Sequence, residues 1–296
     1  MPHIISFINL KGGVGKTTTL VQVADALSSL HGRRVLVIDL DPQTNATIAL
    51  IGEDRWLQCD QAGQTLAQLF IDKLEGTDVF DPERATIRKV SNLPTSTLDL
   101  IPSSLKLIDV QDRMSDISYK TSYTMSPIDV VKLTLQPILS QYDYVLIDCP
   151  PNLGYITQNG LEISDWYVIP TIPDRLSTYG IPQIIRRVEK LRRDRKLKVR
   201  CLGLVLTKVQ SNSSSHDRTK RILPAQLQRA FEEAGAAPAT MFETSIPQAN
   251  AFADAVDYSR GFISFKEKYG RSLSGGQALY EYAADFAKEL MNRVEA

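Results

Sequence analysis

The sequence predicts an α/β fold with a doubly wound, mostly parallel sheet flanked by helices. Short runs rich in β-branched residues alternate with longer amphipathic stretches, which is the pattern of repeated βαβ units. Two of these runs, residues 35–38 and 145–147, are apolar at every position, as strands buried on both faces of a parallel sheet are. With 296 residues, of which 43% are hydrophobic, the chain can bury a sizeable core.

The individual elements follow from the same alternation. We expect strands at residues 4–9, 35–39, 98–101, 144–148, 166–170 and 202–207, and helices that follow from Thr17, Pro127, Tyr155, Ser177 and Thr219. Residues 52–97, with a short helix at 65–74, are expected to decorate the sheet, and the polar stretch 211–215 to form a loop. A terminal helix over roughly residues 275–294 carries one apolar stripe. We expect a single domain over residues 1–296.

Composition excludes several classes of protein. No apolar run is long enough to cross a bilayer, and the start of the chain lacks the basic leader and apolar core of a signal peptide, so a cytoplasmic location is expected. The three cysteines and three histidines show no metal-ligand spacing. Basic and acidic residues balance at 34 each, so any attraction to nucleic acid must come from a local patch.

Residues 11–18 have the composition of a phosphate-binding loop. Such a loop needs small residues that let backbone N–H groups converge on oxygens, a lysine for charge and a hydroxyl for Mg²⁺. The segment supplies all three, follows an apolar strand and opens a helical stretch. We therefore expect ATP to be bound by Lys11, Gly12, Gly13, Val14, Gly15, Lys16, Thr17 and Thr18.

Acidic residues end two of the predicted strands. Asp39 and Asp41 follow the second strand, where the carboxyl end of a parallel strand would place them beside the phosphate loop. Asp148 ends another apolar strand, the layout in which a carboxylate holds hydrated Mg²⁺ opposite a hydroxyl of the phosphate loop. Alternatively, Asp41 only caps a turn before Pro42.

One departure from the general phosphate-loop motif is informative. The general motif has a glycine where this chain has Leu10, and a second lysine, Lys11, follows. The run Lys-Gly-Gly-Val-Gly-Lys-Thr-Thr is similar to the deviant Walker A loop of the ParA/MinD superfamily of P-loop NTPases. The resemblance implies that Lys11 reaches the phosphates bound by a second subunit, and hence an ATP-dependent homodimer.

The same resemblance implies roles for the other site residues. Lys11, Lys16 and Asp41 would be catalytic, with Asp41 orienting the attacking water. Thr17 and Asp148 would hold Mg²⁺, and Asp39 would support the metal and the loop. Lys208 and Pro247 match positions that flank the adenine.

A basic segment of the chain suggests that the ATPase binds nucleic acid. Residues 186–200 carry nine basic and two acidic side chains, a net charge of +7, which would bind DNA without reading its sequence. The basic residues are Arg186, Arg187, Lys190, Arg192, Arg193, Arg195, Lys196, Lys198 and Arg200, and a smaller group is Lys266, Lys268 and Arg271. A solvated helix end is the alternative explanation. The phosphate loop begins at residue 11, so no room is expected for a sequence-reading domain before it.

The resemblance leaves several branches open. A partition or positioning ATPase would sit on the nucleoid and be stimulated by a ParB-like protein or a cargo adaptor. A metabolic amide-forming enzyme and a MinD-like membrane-associated positioner are the alternatives. The expected C-terminal helix carries four acidic residues against two basic ones over residues 280–295, which disfavours binding to anionic membranes. An iron–sulfur reductase would need a cysteine partner near Cys149, which the sequence lacks.

Overall fold

The computed structural model describes residues 1–94, 96–255, 257–270 and 277–296. Within these residues the strands are β1 (His3–Phe7), β2 (Val35–Asp39), β3 (Leu98–Ile101), β4 (Tyr144–Asp148), β5 (Trp166–Thr171), β6 (Arg200–Val209) and β7 (Met241–Pro247). They form one sheet in the order β3-β2-β4-β1-β5-β6-β7, and every neighbouring pair is parallel. The chain builds one side of the sheet first and then the other. The predicted doubly wound parallel fold is therefore confirmed.

Helices connect the strands and cover both faces of the sheet. In the described ranges they are α1 (Lys16–Ser29), α2 (Asn45–Gln61), α3 (Leu66–Glu75), α4 (Pro82–Ala85), α5 (Leu107–Arg113), α6 (Asp116–Lys120), α7 (Val130–Leu139), α8 (Tyr155–Ile163), α9 (Arg175–Thr178), α10 (Ile181–Arg195), α11 (Ser214–Ala234), α12 (Asn250–Asp254), α13 (Phe265–Tyr269) and α14 (Leu279–Glu295). No helix among them combines the length and the apolar character that crossing a bilayer requires.

Two hydrophobic cores lie on opposite faces of the sheet. Successive side chains of a strand point to opposite faces, so β2 sends Leu36 and Ile38 into one core and Val35 and Val37 into the other. The first core is covered by α3, α5 to α8, α10 and α11, and the second by α1, α2 and α12 to α14. The sheet is thus the middle of three layers, which leaves its carboxyl edge open for loops.

The predicted strands agree closely with the structure. The bounds of β2, β3 and β4 match at both ends, and those of β1, β5 and β6 differ by up to two residues at an end. Strand β7 was not predicted; it is an edge strand in which buried, partly exposed and exposed residues are mixed. Edge strands lack the continuous apolar run that identifies a central strand.

Between the strands, the start of α11 differs from the expectation, whereas the short helix expected at 65–74 agrees with α3. Ser213 caps α11 by accepting a hydrogen bond from the backbone N–H of His216, so the helix begins at Ser214 rather than near Thr219. The expected loop at 211–215 is therefore wrong for its last two residues. Residues 52–97 contribute α3, whose Leu66 and Phe70 are fully buried in the first core.

The terminal helix α14 packs on the second core through the expected apolar stripe. Its residues Leu279, Ala283, Phe286, Leu290 and Val294 are buried, and Tyr282 is half-buried. The first two residues of the predicted range, 275 and 276, lie outside the described residues.

Lys268 is buried rather than exposed. Its Nζ lies 2.6 Å from Asp25 Oδ2, and both side chains are almost completely inaccessible to solvent. The same carboxylate accepts hydrogen bonds from Ser91 Oγ and from Tyr269 Oη. The interpretation of Lys268 as a DNA contact is therefore wrong, since its ammonium group is used to attach α13 to α1. Lys266 is exposed and lies over the ring of Tyr280.

We expect the substitution Lys268→Met to lower the free energy of unfolding by about 3–5 kcal/mol, because it leaves the Asp25 carboxylate buried without its cation. Lys266→Met is the matched control, since its exposed ammonium group has no buried partner among the residues that the structure describes, and we expect a change within about 0.5 kcal/mol. Urea unfolding of both variants measures the difference. Equal midpoints for the two variants would contradict a stabilising role of the buried pair.

Candidate nucleotide site

The phosphate loop connects β1 to α1 at the carboxyl edge of the sheet. Gly13 and Gly15 have φ angles of 74° and 85°, in the left-handed region that favours glycine. Gly15 is the N-cap residue of α1 and offers no side chain to the first N–H groups of the helix. These N–H groups and the positive end of the helix dipole are available to an anion.

The phosphate loop is supported by the end of β6. Thr207 Oγ1 donates a hydrogen bond of 2.6 Å to the carbonyl of Val14, and Lys208 Nζ donates one of 2.8 Å to the carbonyl of Gly13. Lys208 adopts a left-handed conformation, with φ 49°. These contacts fix the loop from a strand that lies two positions away in the sheet.

One cavity brings most of the predicted site residues together. It is lined by Gly12, Gly13, Gly15, Lys16, Thr17, Thr18, Asp41, Gln43, Asn45, Ile48, Ala49, Pro151 and Lys208. Four lining residues were not predicted from the sequence, although all of them lie within eight residues of Asp41: Gln43, Asn45, Ile48 and Ala49. Pro247 pairs with Val209 and lines a separate cavity beyond the end of β6, so its contact with adenine stays a prediction.

Thr17 and Asp148 form the arrangement that a divalent cation needs. Thr17 Oγ1 donates a hydrogen bond of 2.6 Å to Asp148 Oδ2, while Asp148 Oδ1 is buried without a hydrogen-bond partner in the described part of the chain. Burial raises the pKa of Asp148 to about 7, opposed by the Thr17 hydrogen bond and the charge of Lys16. A bound Mg²⁺ would give the unpartnered oxygen a ligand and favour the ionised carboxylate.

Asp39 and Asp41 have different surroundings although only one residue separates them. Asp41 lines the cavity, its Oδ1 accepts a hydrogen bond from the backbone N–H of Gln43, and burial raises its pKa. Asp39 is fully buried, and both of its oxygens accept hydrogen bonds from Asp41 or Thr47. Burial and the neighbouring Asp148 raise the pKa of Asp39 well above its usual value. This geometry supports a loop-holding role for Asp39, and a direct metal contact stays a prediction.

Lys11 contacts its own chain in this structure. Its Nζ donates a hydrogen bond of 2.9 Å to Ser177 Oγ and lies 3.8 Å from Asp174 Oδ1. The side chain is 41% exposed at the surface beside the phosphate loop. This position leaves Lys11 accessible to a second molecule, and its predicted reach across a dimer stays a prediction.

The basic segment is largely neutralised by ion pairs. Five of its nine cations lie within 4 Å of a carboxylate, namely Lys190 near Asp194, Arg192 and Arg193 near Glu189, Arg195 near Asp129 and Glu162, and Lys198 near Asp165. The other four, Arg186, Arg187, Lys196 and Arg200, are exposed and have no such carboxylate among the described residues. The net charge of the sequence therefore overstates the positive charge that this surface offers. Arg271 lies outside the described residues.

We expect Asp148→Asn to make the metal-free protein more stable than the wild type at pH 8. The folded-state pKa of Asp148 lies above the value of a free aspartate. The contribution of this carboxyl group to the free energy of unfolding therefore falls as the pH rises from about 4 to about 7. The neutral asparagine does not have this dependence. Urea unfolding in the presence of a chelator at pH 5 and pH 8 measures this pH dependence of stability. An Asp148→Asn variant that is less stable than the wild type at pH 8 would contradict the raised pKa of Asp148.

Asp143→Asn is the control of opposite sign. The hydrogen bond from Arg34 lowers the pKa of Asp143, so its ionised form stabilises the fold at neutral pH. That contribution is lost only as the pH falls through the lowered pKa. The control variant should therefore be less stable than the wild type at pH 8.

Comparisons with known proteins agree with this site. The sequence model of the AAA domain family, AAA_31, matches residues 2–201. The chain is 31% identical over 214 residues to the sporulation initiation inhibitor protein Soj of Bacillus subtilis, covering 72% of this chain and 76% of Soj. It is 28% identical over 212 residues to the chromosome partitioning protein ParA of Myxococcus xanthus, covering 72% and 67% of the two chains.

Solved structures share the fold over nearly the whole chain. Cobyrinic acid a,c-diamide synthase from Mycobacterium smegmatis, solved with an ATP analogue and magnesium, has a TM-score of 0.70 at 22% identity and covers 100% of this chain and 96% of its own. McdA from Cyanothece, solved without ligand, has a TM-score of 0.70 at 21% identity, covering 98% and 100%. The family model spans more than half of the sequence, and most residues of the phosphate loop line one cavity with Asp41. The chain therefore belongs to the AAA domain family of ParA/MinD-type P-loop ATPases.

Proposed function

We propose that this protein is a ParA-type partition or positioning ATPase, which dimerises with ATP, holds non-specific DNA as a dimer and releases it after hydrolysis. The observation that carries the proposal is the cavity lined by Lys16, Thr17 and Asp41. Asp148 is hydrogen-bonded to Thr17, and Lys11 is exposed beside the same loop. The relative ParA of Myxococcus xanthus, a chromosome partitioning protein, supports the partition role.

Each side chain at the site has a distinct task in this proposal. Lys16 and the N–H groups at the start of α1 neutralise and orient the phosphates of ATP. Thr17 and Asp148 would hold Mg²⁺, which would shield the charge of the phosphates. Asp41 lines the same cavity and orients the attacking water, and Lys11 of a second copy stabilises the charge that develops on the transferred phosphate.

Other predicted contacts complete the nucleotide site. Lys208 lies at the phosphate loop, and Pro247 ends the strand next to β6, so a base bound beyond the phosphates would lie near both. Asp39 acts through the backbone that it holds and supports the metal site indirectly.

DNA binding is assigned to the exposed cations that have no ion pair within the described part of the chain. Arg186, Arg187, Lys196 and Arg200 can each approach a phosphate without first breaking an internal salt bridge, and Lys266 is available on α13. The paired cations of the segment contribute less, because an ion pair must be exchanged for each phosphate contact. A ParB-like protein or a cargo adaptor would stimulate hydrolysis, and the ATP-bound dimer would lie on the nucleoid.

The fold alone does not choose between the branches of the family, since an amide-forming synthase and McdA resemble this chain equally well. A metabolic enzyme would hydrolyse ATP in response to a small carboxylic acid and be indifferent to DNA. A membrane-associated positioner would bind anionic vesicles with ATP.

We expect the double substitution Arg186→Glu/Arg187→Glu to weaken ATP-dependent binding of random-sequence DNA by about ten-fold or more at 0.1 M salt, since each dimer loses several phosphate contacts. Fluorescence anisotropy with ATP, ADP and no nucleotide measures the binding. Arg229→Glu is the control, because Arg229 is an exposed arginine of the neighbouring helix that already pairs with Glu233. Wild-type protein that ignores DNA in all three nucleotide states would overturn the proposed function.

We expect Asp41→Ala to accumulate as an ATP-bound dimer. The substitution removes the group that orients the water but leaves Lys16, Thr17 and Asp148 to bind the nucleotide. Light scattering coupled to size exclusion should show a dimer with ATP and a monomer with ADP. A variant that hydrolyses ATP at the wild-type rate would remove Asp41 from the mechanism.

A further inference from the structure

A closed network of buried hydrogen bonds holds the backbone of Asp41. It joins the end of β2, the first turn of α2 and the residues that follow β3. Its members are Asp39, Asp41, Thr47 and Ser103. Thr47 and Ser103 do not line the nucleotide cavity, so they act through other groups rather than on the nucleotide.

The Thr47 hydroxyl is the junction of this network. It donates a hydrogen bond of 2.7 Å to Asp39 Oδ2 and accepts one of 2.9 Å from the backbone N–H of Ser103. The backbone N–H of Thr47 donates a second bond, of 2.9 Å, to the same Asp39 oxygen. A hydroxyl group donates one hydrogen bond and accepts others with its lone pairs. The Thr47 hydroxyl therefore links β2, to which it donates, with the segment after β3, from which it accepts.

The peptide groups of Asp41 are held on both sides. The backbone N–H of Asp41 donates to Asp39 Oδ1 over 3.1 Å, and its carbonyl accepts from Ser103 Oγ over 2.7 Å. The same carbonyl accepts from the backbone N–H of Thr44, which has a left-handed φ of 57°. With both peptide groups fixed, the side chain of Asp41 leaves the backbone in one direction, toward the cavity.

Burial makes these contacts strong and costly to lose. Asp39, Thr47 and Ser103 are completely inaccessible to solvent, and Asp41 is 5% exposed. Water cannot replace a missing partner in such surroundings, so the network has one favoured arrangement.

We propose that Thr47 is a positioning residue for the hydrolysis step, acting through the network to aim the Asp41 carboxylate at the attacking water. This inference rests on the proposed role of Asp41. Thr47 sits outside the cavity and its hydroxyl spans two structural segments, so its loss should misdirect Asp41 while the phosphate loop keeps its own contacts with Thr207 and Lys208.

A matched pair of substitutions tests the proposal. Thr47→Val keeps the shape of the side chain and removes the hydroxyl, whereas Thr47→Ser keeps the hydroxyl. We expect Thr47→Val to lower kcat for ATP hydrolysis by about ten- to a hundred-fold, with the Kd for ATP changed by less than about three-fold, because misplacing a positioning group affects the transition state more than the ground state. Thr47→Ser should stay within about two-fold of wild type.

Ser103→Ala is a second variant, in case Thr47→Val folds poorly. It removes the hydrogen bond from Ser103 Oγ to the Asp41 carbonyl and keeps the hydrogen bond from the Ser103 backbone N–H to Thr47. We therefore expect Ser103→Ala to lower kcat, as Thr47→Val does. Equal kcat values for Thr47→Val and Thr47→Ser, or a parallel loss of kcat and ATP affinity, would overturn the positioning role.

Asp41→Ala measured in the same assay separates this inference from the proposed function. A full hydrolysis rate in Asp41→Ala would remove Asp41 from catalysis and with it the basis of both. A reduced rate in Asp41→Ala together with an unchanged rate in Thr47→Val would overturn only the role of Thr47.

Discussion

The electrostatic crowding of carboxylates at the carboxyl edge of the sheet is the constraint on which the site depends. Asp39 and Asp148 occupy neighbouring strands in direct register, and both are fully buried. Burial first, and then the neighbouring charge of Asp148, raise the pKa of Asp39. The fold therefore requires donors and cations at this edge, and the phosphate loop, Lys16 and a metal ion all meet that requirement.

The two acids resolve the crowding in different ways. Asp39 satisfies its oxygens with donors from its own loop and helix, so it serves the architecture. Asp148 leaves its Oδ1 without a hydrogen-bond partner in the described chain, so this oxygen is available to a bound metal ion. A site built in this way differs electrostatically between its nucleotide-bound and empty states, which fits the nucleotide-dependent cycle proposed above.

The sequence predicted those features that depend on residues close together in the chain. The central strands β2 and β4 were found to the residue because continuous apolar runs identify strands buried on both faces. Residues 11–18, Asp41 and Asp148 could be predicted as site residues because they follow the ends of predicted strands, and their roles stay predictions. Partners distant in sequence could not be read: the ion pair of Lys268 with Asp25 crosses 243 residues, and the pairs of Arg195 reach Asp129 and Glu162. Thr47 and Ser103 were missed because their importance lies in backbone direction, for which residue type gives no signal.

The central position of β1 has a consequence for how the protein is made. β1 pairs with β4 and β5, strands that follow it by about 140 and 160 residues. A ribosome therefore releases the apolar residues of β1 long before either neighbour exists, and the sheet cannot close around them until more than half of the described chain has emerged. During that interval Ile5 and Phe7, which are fully buried in the finished protein, are open to chaperones and to other nascent chains.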